Sequence, residues 1–74
     1  MRAHDVEWDA GEMGCGELVI ELKLKFRALA PRSVLRLRAL DQGALEDIPA
    51  WCGLTGHKLL EAAHPLYWIQ RKDS

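Results

Sequence analysis

The residue with the clearest chemical potential is a cysteine that lies between two glycines, in the stretch EMGCGEL. A structural cysteine usually packs within an apolar run, whereas Cys15 stands at a flexible bend where such a run begins. If a helix starts here, unpaired backbone N–H groups and the positive end of the helix dipole stabilise the thiolate. The neighbouring carboxylates of Glu12 and Glu17 oppose this effect. The position predicts a nucleophilic cysteine; the alternative is a turn residue without a chemical role.

The other potential ligands and nucleophiles form no recognised site. We expect Cys52 to pack in the core, because it shares a predicted helical face with Leu45 and Ile48. The three histidines occur singly, without the short paired spacings of a zinc site: His4, His57 and His64. A metal site of Cys15, Cys52 and His57, or a disulfide between the two cysteines, stays open at this stage. We expect no metal, no bound cofactor and no self-contained catalytic triad.

Size and composition indicate one small domain over residues 1–74. The chain has 74 residues, of which 28% are charged and 49% hydrophobic, with a net charge of −1. No apolar stretch reaches the roughly 20 residues of a membrane span, and no charged-then-apolar leader opens the sequence. We therefore expect a cytoplasmic protein without a membrane partner. The near-neutral charge and the five aromatic residues argue against nucleic-acid binding.

The charges are segregated along the chain. Six acids come first, without a base among them: Asp5, Glu7, Asp9, Glu12, Glu17 and Glu21. Six bases follow, without an acid: Lys23, Lys25, Arg27, Arg32, Arg36 and Arg38. This pattern predicts either a surface that steers a charged partner or two solvated faces. We expect Lys23, Lys25 and Arg27 to form a partner-docking surface, because they begin about two helical turns after Cys15.

One long segment fits two kinds of secondary structure. A first strand is predicted in HDVEW, with Val6 and Trp8 on one side, and DAGEMGCG is a glycine-rich turn. In the next segment, ELVIELKLKFRAL, apolar residues alternate as in a strand. They also form a helical face of Val19, Leu22, Phe26 and Leu29. The length of the segment favours a helix, as do an acid in its first turn and an acid–base pair four residues apart.

The remaining elements are easier to assign. SVLRLRAL predicts a strand whose apolar face is Leu35, Leu37 and Ala39, with Arg36 and Arg38 on the other face. ALEDIPAWCGLT predicts a second helix that Gly56 ends. The last part predicts two strands joined at His64-Pro65. The order is β-α-β-α-β-β, an α/β two-layer sandwich in which both helices cover one face of a four-stranded mixed sheet.

An ordered set of short motifs spans the chain from about His4 to Lys72. Its members are Asp9, Gly11, Cys15, Glu17, Pro31, Asp47-Ile48-Pro49, Trp51-Cys52, Trp68, Ile69, Arg71 and Lys72. This set resembles the TusA-like, or SirA-like, sulfur-carrier family. The resemblance implies the fold described above and a helix for the ambiguous segment. The family has a CPxP motif where this chain reads CGEL, with Gly16 and Leu18 in place of the two prolines.

The resemblance implies a function as a persulfide relay. Cys15 falls on the family's sulfur-carrying cysteine, with Gly16 and Glu17 beside it, and the covalent persulfide sulfur is the only group it carries. The donor would be a cysteine desulfurase or a rhodanese-like protein, and an acceptor protein would take the sulfur for tRNA thiolation, cofactor synthesis or sulfur oxidation. The alternative is a protein-binding or regulatory module in which Cys15 is inactive. In that case Arg36 and Arg38, together with Lys23 and Arg27, would contact an acidic protein or, less readily, RNA.

Overall fold

The computed structural model describes residues 3–73, apart from the side chain of Cys15. Six elements follow one another in the predicted order. They are β1 (Val6–Gly11), α1 (Cys15–Ala28), β2 (Val34–Ala39), α2 (Ala44–Thr55), β3 (Lys58–Ala63) and β4 (Leu66–Gln70). The segment that fitted two periods is thus a helix of 14 residues. The resemblance predicted it correctly where the pattern alone left both readings open.

The strands form one mixed sheet in the order β1-β2-β4-β3. The strands β1 and β2 run parallel, and α1 supplies the crossover that a parallel pair requires. The other neighbours pair antiparallel, with Leu37 of β2 opposite Tyr67 of β4. The sheet is therefore the predicted four-stranded one.

One hydrophobic core lies between the sheet and the two helices. In α1, Leu18, Leu22 and Phe26 follow at intervals of four and are at most 2% exposed. The inward face of β2 is the predicted one, and β4 adds Tyr67 and Ile69. The whole buried cluster consists of Leu18, Leu22, Phe26, Leu35, Leu37, Ala39, Ala44, Ile48, Trp51, Cys52, Tyr67 and Ile69. Because both helices contribute to the same cluster, they cover the same face of the sheet.

The first strand lies further along the chain than the sequence predicts, at Val6–Gly11 instead of residues 4–8. We expected the glycine-rich turn to begin at Asp9, whereas β1 continues to Gly11, which pairs with Ala39 across a bulge. Gly11 has a φ of 58°, a left-handed conformation that glycine adopts without strain. Its N–H donates to Oδ1 of Asp9, and its carbonyl accepts from the N–H of Leu40. This glycine therefore closes the strand and does not open the turn.

The predicted helical faces are partly wrong. Leu45 was expected in the core but is 51% exposed, because the buried face of α2 is centred on Ala44, Ile48 and Trp51. Leu45 lies about 100° around the helix from Ala44. In α1, Leu18 is fully buried although the predicted face began one residue later, at Val19. The predicted end of α2 is confirmed, since Gly56 caps it with a φ of 88°.

Candidate functional site

Three connections meet at the end of the molecule where α1 begins, which we call the cysteine end. They are residues 12–14 before α1, residues 40–43 before α2 and the turn at His64-Pro65. Two backbone hydrogen bonds tie them together. The N–H of Leu40 donates to the carbonyl of Gly11, and the N–H of Ala39 donates to that of Pro65, both at 2.9 Å. The cysteine end is therefore built from three separate parts of the sequence.

Cys15 is the first residue of α1. The residue before it, Gly14, is the N-cap and is extended, with φ −67° and ψ 152°. Its carbonyl accepts the first helical hydrogen bond, from the N–H of Leu18 at 2.8 Å, and among the described side chains none caps the helix. The unpaired N–H groups of a helix start therefore lie beside the backbone of Cys15. The thiol itself lies outside the described part of the structure, so its reactivity stays a prediction.

The surface next to Cys15 is open. Gly14 and Gly16 are exposed, and a methyl group built on either of them would meet no atom within 4 Å. Glu17 is also exposed and lies in the first turn of α1, where the helix dipole stabilises a carboxylate. The exposed glycines at the helix start leave room for another protein to close over this position.

The predicted docking residues do not lie together. Lys23 and Arg27 line a groove of about 310 Å³ at the C-terminal ends of the two helices, which we call the basic groove. Arg71 and Lys72 also border it, over a floor that includes Phe26 and Trp51. By contrast, Lys25 points to another side of α1, where its ammonium lies 4.6 Å from the centre of the Trp8 ring.

The basic groove is remote from the cysteine end. Along α1, Lys23 and Arg27 lie about 12 Å and about 18 Å from Cys15, at 1.5 Å per residue. Among the described residues, no carboxylate pairs with Lys23 or Arg27. Within residues 3–73, Lys23 and Arg27 are therefore two exposed cations without an acidic partner, beside an aromatic floor.

Arg71 and Lys72 bind one helix end each, a role that sequence reasoning missed. The guanidinium of Arg71 donates to the carbonyl of Phe26 near the end of α1, at 2.8 Å. The ammonium of Lys72 donates to the carbonyl of Thr55 at the end of α2, at 2.9 Å. Cations at these positions offset the negative ends of the helix dipoles. The sequence showed these two residues only as part of a terminal motif.

His57 lines the basic groove and holds neighbouring residues in place. Its ring packs against Phe26 and Trp51, with ring centres 4.7 Å and 5.2 Å apart, and its Nδ1 accepts the backbone N–H of Lys72. Burial lowers the pKa of His57, and the positive charges of Lys72 and Arg71 lower it further. The imidazole is therefore neutral at pH 7 and acts as a structural hydrogen-bond acceptor.

The segregated charges partly neutralise one another. On the sheet face opposite the helices, Glu7 pairs with Arg36, and Asp9 pairs with Arg38 at 3.0 Å. These partners are direct neighbours in the parallel register of β1 and β2. Arg38 is also the main cause of a lowered pKa for Asp9. The two arginines that the alternative function assigned to an acidic partner are thus already paired within the chain.

Cys52 is buried in the core, as predicted, and its thiol is free. It is 4% exposed, and burial raises its pKa to about 11, so the unreactive thiol form dominates at neutral pH. In the described part of the chain, which leaves out the Cys15 side chain, no three His, Cys, Asp or Glu side chains gather as metal ligands do. Neither α1 nor α2, the two helices within residues 3–73, has the length and apolarity of a membrane span.

Comparison with known proteins gives a consistent set of similarities. The profile of the family described as "Sulfurtransferase TusA" matches residues 6–69. The chain is 41% identical over 73 residues to the "Sulfur carrier protein TusA" of Pseudomonas entomophila (strain L48). The aligned region covers 93% of this chain and 91% of the relative. The chain is 40% identical over 72 residues to the protein of the same name from Pseudomonas paraeruginosa, with coverages of 92% and 91%. For that of Pseudomonas syringae pv. tomato, the identity is 38% over 73 residues, with coverages of 93% and 87%.

Proposed function

Because the chain belongs to the TusA family, we propose that it is a sulfur carrier that holds one sulfane sulfur on Cys15 as a persulfide. The Cys15 thiolate attacks the terminal sulfur of a persulfide on a donor protein. The S–S bond of the donor breaks, and the donor cysteine leaves as a thiolate. A nucleophile of the acceptor then attacks the terminal sulfur on Cys15, which leaves as a thiolate in turn. Neither step needs an external oxidant or reductant, since the sulfane sulfur passes between thiolates.

The observation that carries this proposal is the position of Cys15 as the first residue of α1, after a cap without a side-chain hydrogen bond. Unpaired N–H groups and the helix dipole favour the thiolate both as nucleophile and as leaving group. No base on this chain is required, because the partner proteins supply their own acid–base groups. The exposed glycines on both sides allow such a partner to enclose the sulfur.

The residues that replace the family's prolines fit this role. Leu18 is fully buried and anchors the first turn of α1 in the core. Gly16 is exposed and, unlike proline, carries a backbone N–H at the helix start, where it is an additional donor toward a negatively charged sulfur. Glu17 keeps the first turn stable through the helix dipole but disfavours a second negative charge nearby. CGEL thus gives up rigidity and gains a donor.

We assign partner recognition to the basic groove. The donor, a cysteine desulfurase or a rhodanese-like protein, and the acceptor would each present carboxylates to Lys23 and Arg27. The exposed side chain of Leu54, 87% exposed at the groove, offers an apolar contact. Lys25 rests on Trp8 and is left out of this surface. We place the exchange in the cytoplasm, where thiols are kept reduced, which agrees with the free thiol of Cys52.

The test is intact-mass spectrometry after incubation with a cysteine desulfurase and cysteine. The wild type and Cys52→Ser should gain one sulfur that a reductant removes, while Cys15→Ser should gain none. Cys52→Ser is the matched control, because it removes the only other thiol, and that thiol is buried. An adduct that persists in Cys15→Ser, or none in the wild type with competent donors, would contradict the proposal. The second outcome is the one expected of a binding module without sulfur chemistry.

A further inference from the structure

The basic groove continues around the C-terminal residues into a second cavity of about 360 Å³, which we call the C-terminal cavity. Arg71 and Lys72 border both, and the second cavity adds Arg32 and Lys58. Six of the ten lysines and arginines of the chain therefore surround the two cavities. Asp73 is the one carboxylate among the described residues that line them. In a chain with a net charge of −1, this is a strong local excess of positive charge.

Arg32 is held in an unfavourable backbone conformation at this site. Its φ is 69°, in the left-handed region where glycine is preferred, and it is the one described non-glycine residue there. The backbone is fixed on both sides, because the N–H of Arg32 donates to the carbonyl of Arg71 and its carbonyl accepts from the side chain of Gln70. Strain of this kind often marks a functional position, and here the strained residue lines the C-terminal cavity.

The carboxylate of Asp73 forms an ion pair with the guanidinium of Arg32. Nε of Arg32 lies 2.6 Å from Oδ1 and Nη2 lies 3.4 Å from Oδ2, the two-point arrangement in which arginine binds carboxylates. Arg32, and more weakly the charge of Lys58, lowers the pKa of Asp73, so the carboxylate is ionised at neutral pH. Both side chains are largely exposed, at 75% and 68%. Exposed pairs of this kind are weak and exchange readily.

We propose that the C-terminal cavity is a carboxylate-binding site for an acidic segment of a partner protein, and that Asp73 occupies it in the unbound chain. An acidic segment lying in the basic groove reaches the cavity past Arg71 and Lys72. Its carboxylate then displaces Asp73 from Arg32. Asp73 thus acts as a weak internal competitor that lowers the affinity of the cavity for the partner's acidic segment. This inference rests on the proposed role of the basic groove in partner recognition.

The surroundings favour a protein segment over a nucleic acid. Single-stranded nucleic acids bind through exposed aromatic rings on which bases stack. The rings at the groove are buried, with Phe26 at 2% and Trp51 at 6% exposure, and they are occupied by contacts to each other and to His57. Leu54 offers instead an exposed aliphatic contact. Carboxylates beside an apolar side chain match this combination.

The test measures binding of a fluorescein-labelled hexaglutamate peptide by anisotropy at low salt. Asp73→Asn should bind the peptide about two- to fivefold more tightly than the wild type, because the internal competitor is removed. The control is Glu46→Gln, which changes the net charge equally but lies in the first turn of α2, at the cysteine end. It should bind no more than marginally better than the wild type. Equal gains in Asp73→Asn and Glu46→Gln would overturn the proposal.

Two further variants identify the site and its ligand. Arg32→Gly in the Asp73→Asn background should remove the gain, while a glycine accepts the left-handed backbone without strain. Retention of the gain without Arg32 would overturn the assignment, provided that thermal unfolding shows an intact fold. An oligouridylate of equal charge should bind more weakly than the peptide, and the reverse order would overturn the choice of a protein partner. Cys15→Ser should bind like the wild type, so failure of the sulfur-carrier proposal remains distinguishable.

Discussion

The two ends of the molecule are built in opposite ways. At the cysteine end, α1 starts without a side-chain cap, between exposed glycines. At the other end, Arg71 and Lys72 each bind the end of one helix, His57 accepts the backbone N–H of Lys72, and all three border a groove with an aromatic floor. A reactive sulfur that must enter the sites of other proteins needs access, whereas recognition needs fixed side chains. On the proposed function, one small domain separates these two requirements along a single helix.

The charged residues of the helices are also divided between the two ends of the molecule. The first turn of α1 carries Glu17, the first turn of α2 carries Glu46 and Asp47, and the last turn of α1 carries Lys25 and Arg27. Acids at helix starts and bases at helix ends are stabilised by the helix dipoles. Arg27, which we assign to partner recognition, therefore also stabilises α1.

The largest expected effect lies in the aromatic floor of the basic groove. Trp51→Ala should lower the free energy of unfolding by about 3–5 kcal/mol, because a buried indole and its contacts with Phe26 and His57 are lost. Urea denaturation measures this change. Leu54→Ala, three residues along the same helix and exposed, should change it by no more than about 0.5 kcal/mol. Similar costs for both variants would contradict the assignment of Trp51 to the core.

A smaller loss of stability is expected when Arg71, the residue that follows β4, loses its hydrogen bond to α1. Arg71→Gln removes the donor to the carbonyl of Phe26 and should cost about 1–2 kcal/mol. Amide hydrogen exchange should then rise in the last turn of α1 and stay unchanged in its first turn. Faster exchange at the cysteine end as well would show that the two ends are coupled and would contradict their separation.

The pH dependence of stability tests His57. Its pKa is lowered in the folded state, so the unfolded chain binds the proton more readily. The neutral His57 therefore contributes its full stabilisation above its unfolded pKa of about 6.5. This stabilisation is lost as the pH falls from there toward the pKa of His57 in the folded chain. Urea midpoints measured from pH 7.5 to pH 5 should therefore fall more for the wild type than for His57→Gln. Parallel curves for the two proteins would refute the structural role of the neutral imidazole.

The smallest expected effect is at the cysteine end. Gly16→Pro should raise the free energy of unfolding by about 0.4–1 kcal/mol, because proline restricts the unfolded chain and suits the first helical turn. Sulfur loading of Cys15 should be retained. Gly53→Ala is the comparison within α2, where the added methyl group meets no atom within 4 Å and a similar gain is expected. A large loss of stability or loading in Gly16→Pro alone would show that the helix start differs from the one described.

The success of sequence reasoning depended on how local each signal is. The bounds of α2 follow from its sequence, because Gly56 favours the left-handed cap that ends the helix. The inward face of β2 follows from strict alternation. The core position of Leu45 was predicted wrongly, since the rotation of α2 against the sheet depends on packing with Phe26 and Tyr67, which are distant in sequence.

The candidate site was predictable only in part. The position of Cys15 at a helix start followed from the glycines and from the family resemblance. The separation of Lys25 from Lys23 and Arg27 follows from the helix itself, because residues two apart do not share a helical face, but the contact of Lys25 with Trp8 has no sequence signal. The pairs that join Glu7 to Arg36 and Asp9 to Arg38 depend on the register of two strands. The left-handed backbone of Arg32 has no signal in the residue type, which normally avoids it.

We propose that the cysteine end performs the chemistry and that the basic groove selects the partner. The rate of sulfur loading from two donors, a cysteine desulfurase and glutathione persulfide, separates these two roles. The double variant Lys23→Glu/Arg27→Glu should lose about tenfold or more with the enzyme and load normally from the small persulfide. Cys15→Ser should load from neither donor. A charge-reversed protein that loads equally well from both donors, or poorly from both, would contradict the account.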